Sequence, residues 1–166
     1  MRWDGGDKRQ RLLVERVARH VDLVPVCPEV GVGMGVPREP VQLVQTDAGV
    51  RLRGVTSGRD WTDAMETWTA STLRALEADG PLAGFVLKAK SPSCGLVVPV
   101  FGASPACGAT LAQADARAGL FAAVLLRARP GLPVIDETSL ADPAARAKFF
   151  AAVFAGAEVP TELSSM

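Results

Sequence analysis

Helical and extended patterns alternate along this chain, and that alternation limits the folds open to it. Asp7 and Gln10 have the spacing of a capping box, and Leu13, Val14, Val17, Ala18 and Val21 then form one apolar stripe. Residues 23–26, Leu-Val-Pro-Val, predict a short strand that stops at Cys27-Pro28-Glu29. Residues 42–46 and 50–53 predict a hairpin across Asp47-Ala48-Gly49. Trp61, Ala64, Met65, Trp68, Thr72, Ala75 and Leu76 share one face of a helix that begins at Asp60 and ends at Gly80-Pro81. A strand over 84–88 stops at Ser91-Pro92-Ser93-Cys94-Gly95, and a shorter one follows over 97–101. The rest reads as a helix over 115–129, a buried strand over 133–135, and a last helix opened by Asp142-Pro143 that buries Phe149, Phe150, Val153 and Phe154. This order predicts an α/β domain over residues 1–157, with mostly parallel strands linked by right-handed crossovers. Residues 158–166 read as a frayed C-terminal tail.

Charge and composition remove several function classes. The 18 basic residues balance 18 acidic ones, so the basic excess of a nucleic-acid protein is missing. No run of about 18 apolar residues predicts a membrane span. The N-terminus shows no apolar signal segment, and a cytoplasmic protein is the expectation. Three cysteines in a reducing compartment read as ligands or thiols rather than as disulfides.

Two of those cysteines fall where α/β sheets place their sites. Ligands bind at the carboxyl edge of parallel strands. Cys27 follows one expected strand directly and Cys94 follows another by a few residues. Soft thiolates on loops stiffened by proline suit zinc or an iron–sulfur cluster. Glu29 and Ser91 add groups able to move protons or bind a substrate. A cysteine taken alone is as readily a small buried hydrophobe, and the shared strand-end position is what favours a site. Cys107 sits in a loop whose Ser-Pro-Ala-Cys-Gly echoes residues 91–95. His20, the only histidine, lies at a helix end, where a capping or exposed role is expected. Trp61 and Trp68 keep helical spacing and read as core. The Gly31-Val32-Gly33-Met34-Gly35 stretch lacks the helix a dinucleotide fingerprint needs and reads as a bend beside the site. Arg38 is open to two roles there: binding an anion, or pairing with Glu39 or another surface carboxylate. Lys88 and Lys90 steer an anion or are simply solvated.

Several motifs together resemble a known family. Arg2-Trp3-Asp4-Gly5-Gly6, Cys27-Pro28-Glu29-Val30-Gly31, Pro37-Arg38-Glu39-Pro40 and Ser91-Pro92-Ser93-Cys94-Gly95 resemble the thiouracil desulfurase-like family, as do Gly119-Leu120-Phe121-Ala122 and Leu132-Pro133. The resemblance implies a Rossmann-like three-layer domain with a mostly parallel sheet. It implies a [4Fe-4S] cluster on three cysteines, with a fourth iron open to the sulfur of a small thiolated heterocycle such as 2-thiouracil. Cys27 and Cys94 match two ligands. Glu29 and Ser91 match the catalytic acidic group and serine, and Arg38 and Ser93 stand as candidate substrate-binding residues.

One departure accompanies the resemblance. The family's third ligand lies in a Cys-Leu-Leu-Gly-type segment before the Arg-x-Asp-Gly motif, whereas here Met1 directly precedes Arg2. The family's first strand is accordingly expected to be missing. Three readings follow: a start upstream of Met1, replacement of the ligand by Cys107, or loss of the cluster with retention of the fold. The alternative functions are a cluster-free binding domain and a zinc protein using Cys27, Cys94, Cys107 and Glu29.

Overall fold

Strand pairing in the chain is local where turns are tight and parallel where helices intervene. The computed structural model describes residues 4, 10–78, 80–102, 113–155 and 158–164. Its first helix, α1 (Arg11–Glu15), is followed by a 3-10 turn at Val17–Arg19, and a second short helix, α2 (Pro28–Gly31), follows Cys27. Strands β1 (Val41–Thr46) and β2 (Gly49–Gly54) form the expected hairpin, with Thr46 opposite Gly49. A two-residue turn permits only antiparallel pairing, and Gly49 supplies the positive φ, +98°, that it requires.

Helix α3 (Thr62–Ala78) starts where Asp60 accepts a hydrogen bond from the Thr62 amide at 2.9 Å. Its buried residues are Thr62, Met65, Thr69 and Leu73, one stripe of a 3.6-residue period, while Ala64 and Ala75 of the expected face are exposed. Then come β3 (Phe85–Leu87), β4 (Val98–Phe101), β5 (Gln113–Arg117), α4 (Leu120–Ala128), β6 (Val134–Asp136), α5 (Pro143–Val153) and α6 (Thr161–Ser164).

Four strands pair in the order β2-β1-β4-β5, and β3 pairs with β6 separately. Among the described residues the β1–β4 and β3–β6 ladders are parallel, and the β1–β2 and β4–β5 ladders are antiparallel. The strands are therefore mixed rather than mostly parallel. Hairpin β1–β2 fixes one antiparallel pair, and β5 supplies the other by returning beside β4.

The two-stranded β3–β6 unit separates two cores. Leu87 belongs to a cluster with Leu43, Leu52, Trp61, Met65, Val98, Val100, Phe121 and Leu125, against which Phe85 and Val134 also pack. Ile135 belongs to a second cluster with Val17, Leu140, Phe149, Phe150 and Leu163, against which Val86 packs. Alternate residues thus face helices α3 and α4 on one side and α5 on the other, as the period of two dictates.

Further sequence expectations change. Residues 22–27 are in neither helix nor strand. Pro25 removes a ladder donor there, and Leu23 and Val24 are 44% and 62% exposed. The helix expected over 115–129 begins only at Leu120, because Gln113–Arg117 pair as β5. Within the stretch expected as a tail, Thr161–Ser164 form α6, whose Leu163 is 1% exposed in the second core. Asp142 caps α5 as expected, accepting from the amides of Ala144 and Ala145. No helix among the described residues is long and apolar enough to cross a membrane.

Candidate active site

Two loops bring the expected site residues together. The first starts at Cys27, which precedes α2 and accepts from the Gly31 amide at 2.9 Å. Pro28 at the first helical position has no N–H to leave unpaired, and Glu29 follows in the first turn. After α2 the chain doubles back through Gly33 and Gly35, with φ of +87° and +76°. Those left-handed conformations favour glycine, and they deliver Arg38 onto Glu29.

The second loop runs from β3 to β4. The Ser91 hydroxyl accepts from the Ser93 and Cys94 amides, both at 3.2 Å, and the Gly95 amide donates to the Ser91 carbonyl at 2.7 Å. The outer carbonyls of this loop are held by α4. The amides of Gly119, Leu120 and Ala122 donate to the carbonyls of Gly95, Pro92 and Ser93 at 2.8, 3.1 and 3.2 Å. Gly119 therefore opens α4 without a side-chain cap, because its first amides are satisfied by the loop.

Glu29 joins the two loops. Its Oε1 accepts from the Ser93 hydroxyl at 2.9 Å and from the Ser91 hydroxyl at 3.3 Å. Its Oε2 accepts from Arg38 Nε at 2.8 Å and pairs with Arg38 Nη2 at 2.7 Å. Arg38 Nη1 donates back to the Gly35 carbonyl at 3.1 Å. Arg38 thus pairs with Glu29, whose side chain is 14% exposed, rather than with Glu39 or a surface carboxylate. Glu39 is engaged elsewhere, accepting from the amides of Thr56 and Ser57 and from the Ser57 hydroxyl.

Cys27 and Cys94 are both free thiols and both half-buried. Burial foremost, with the nearby Glu29 and Cys27 adding to it, pushes the Cys94 thiol up to about 12. The same interactions place Glu29 and Cys27 each within electrostatic reach of Cys94. Among the described residues no group of three or more His, Cys, Asp and Glu side chains could hold a metal ion. Cys107 lies outside the described residues. His20 is exposed at the end of its 3-10 turn, and Lys88 pairs with Glu137.

Sequence reasoning missed the part played by Gly119. Its signal was a glycine standing directly before an apolar helix, with no capping side chain. The Glu29 carboxylate, Arg38, two serines and the Cys94 amide thus occupy one hydrogen-bonded unit, and the sequence pattern behind it is specific. Residues 1–137 match the 2-thiouracil desulfurase family.

The chain belongs to the 2-thiouracil desulfurase family.

Membership covers the described site in full, since Cys27 to Gly119 lie inside the matched span. The fold is also similar to the solved structure of a [4Fe-4S]-dependent thiouracil desulfidase, TudS. That chain is 23% identical, with 84% of each chain covered and a TM-score of 0.53. The likeness supports a shared mixed α/β fold between this 2-thiouracil desulfurase family member and TudS. No curated protein sequence matches this one.

Proposed function

We propose that this chain is a desulfidase that removes sulfur from a small thiolated heterocycle such as 2-thiouracil, using a [4Fe-4S] cluster held in part by Cys27 and Cys94. Family membership supports the reaction class. The observation that carries the reading is the single network in which Glu29, held by Ser91, Ser93 and Arg38, stands beside the Cys27–Cys94 pair.

The donor chemistry fits such a cluster. The Cys27 and Cys94 thiols are soft ligands of the type that hold iron–sulfur centres. Cys107 is proposed as a further donor. Glu29 is better read as a proton carrier than as a ligand, because both its oxygens are already engaged by serine and arginine. When bound, the cluster supplies an open iron as a soft Lewis acid for the substrate sulfur.

The overall reaction is a hydrolysis: a water oxygen replaces sulfur on the ring carbon, sulfur leaves as hydrogen sulfide, and no net electron is transferred. Glu29 Oε1 holds the proton taken from that water. Ser91, whose oxygen is fixed by two backbone amides, orients the water or the substrate beside Oε1. The half-buried loops limit solvent access and strengthen these polar contacts.

Anaerobic reconstitution with iron and sulfide tests the reading. A brown protein with about four irons and four acid-labile sulfides per chain, converting 2-thiouracil to uracil and sulfide, is the expected result. Loss of the cluster in Cys107→Ser assigns Cys107 as a ligand. A protein that binds the full cluster but releases no sulfide from any thiolated pyrimidine overturns the proposed activity.

A further inference from the structure

We infer that Arg38 and Ser93 are positioning residues that set the orientation of Glu29, and that neither touches the substrate. The inference rests on the desulfidase reading above. A carboxylate offers about four lone-pair sites. Four donors meet Glu29, two on each oxygen.

The four contacts are unequal. Arg38 holds Oε2 at 2.8 and 2.7 Å, and Ser93 holds Oε1 at 2.9 Å. The Ser91 contact is the longest, at 3.3 Å. The Arg38 side chain is 4% exposed, and Ser93 is 0% exposed. A group with almost no surface has little to offer an incoming ligand. Ser93 has one hydroxyl proton, and Glu29 takes it.

A glutamate side chain otherwise samples many rotamers. Anchors on both oxygens fix the carboxylate, and the two-nitrogen arginine contact adds direction as well as strength. Arg38 is itself anchored to the Gly35 carbonyl, so the clamp is tied to the backbone. Ser91 is half-buried and lies on the loosest contact. The Ser91 side of Oε1 is therefore where a water or substrate can displace a partner of Glu29.

The test uses the reconstituted protein with Ser93→Ala, Arg38→Gln and Arg38→Lys. Iron content is expected to match the parent, and the KM for 2-thiouracil to stay within about twofold. kcat is expected to fall about 10- to 100-fold in Ser93→Ala and Arg38→Gln, as misplacing a reacting group by about 1 Å does. Arg38→Lys, which keeps the charge and a donor, recovers part of that loss. Crystal structures of Ser93→Ala and Arg38→Gln are expected to show the Glu29 carboxylate turned from its present orientation.

A raised KM with kcat preserved would mean substrate contact and would overturn the inference. So would iron loss, or an unmoved Glu29 in both crystal structures. If Ser93→Ala fails to fold, the Arg38 variants test the clamp from the other oxygen. If the parent itself does not turn over 2-thiouracil, the desulfidase reading falls, while the orientation of Glu29 in the variant crystals still decides the positioning claim.

Discussion

Gly119 and Ser93 meet backbone to backbone: a methyl group on the Gly119 α-carbon would lie 2.6 Å from both the carbonyl carbon and the oxygen of Ser93. Helix α4 can approach the Cys94 loop this closely only with hydrogen at that position. Its three amide contacts with the loop depend on that approach.

Gly119→Ala is therefore expected to push α4 off the loop. The obstacle is backbone, which cannot rotate aside, so a cost of about 1–3 kcal/mol follows. Urea unfolding measures it, and iron uptake on reconstitution should fall with it. Parent-like stability would show that the contact is relaxed in solution.

Glu29→Gln replaces an acceptor-only group with one that also carries donors. The amide nitrogen must then face the serine hydroxyls or the Arg38 guanidinium, which are donors already. Cys27 and Cys94 are untouched, so iron content should stay near the parent value. kcat should drop about 100-fold or more, the usual worth of a placed general base. Full activity with a full cluster would remove Glu29 from the mechanism.

Cys27→Ser and Cys94→Ser each delete a soft donor and substitute a harder one. Each is expected to lose most of its iron and the brown absorption, while circular dichroism keeps the parent shape. Iron retained in both variants would place the cluster elsewhere on the chain.

Asp60 gives a pH signature unrelated to the site. Burial would raise its carboxyl, but hydrogen bonds from Arg51 and Thr62 outweigh that and hold it down to about 2. A depressed folded-state value stabilises the protein above the unfolded value of 3.8, and that contribution is lost as pH falls towards 2. The group is partly exposed, so the effect is about 1 kcal/mol at most. Asp60→Asn should flatten the fall in Tm between pH 4 and pH 2. A slope equal to the parent's would show that the carboxylate interactions are not made in solution.

Leu163→Ala tests whether the last short helix contributes to the second core. A fully buried leucine truncated to alanine costs about 2–5 kcal/mol. A change below about 0.5 kcal/mol in chemical denaturation would return the segment to the frayed tail that its sequence suggests.

Sequence was most informative where one local rule decides the outcome. Asp47-Ala48-Gly49 forces a hairpin, Asp142-Pro143 opens a helix, and the ends of both cysteine loops are marked by proline and glycine. It failed where tertiary pairing overrides propensity. Gln113-Ala-Asp-Ala-Arg has no β-branched residue, yet it pairs with β4. Residues 23–26 have strand composition but no partner among the described residues. In the site, Cys27, Glu29, Ser91 and Cys94 were legible from their motifs. The partnership of Arg38 with Glu29 was not, because it depends on how far two left-handed glycines turn the chain.

The two thiols are carried by separate segments, and each segment leans on its own helix. Gly31, beside the Cys27 turn, lies against the Trp68 indole of α3, and the Cys94 loop is fastened to the start of α4. Trp68 and Phe121 in turn meet across the α3–α4 boundary as tilted rings, with centroids 6.4 Å apart and planes at 44°. The two cysteine segments are thus tied to one another through a helix–helix contact in the core, like the jaws of a caliper joined by its slide. Close packing passes small volume changes along that line. Exchanges at positions such as 68 and 121 can retune the opening offered to a ligand while both cysteine motifs keep every residue.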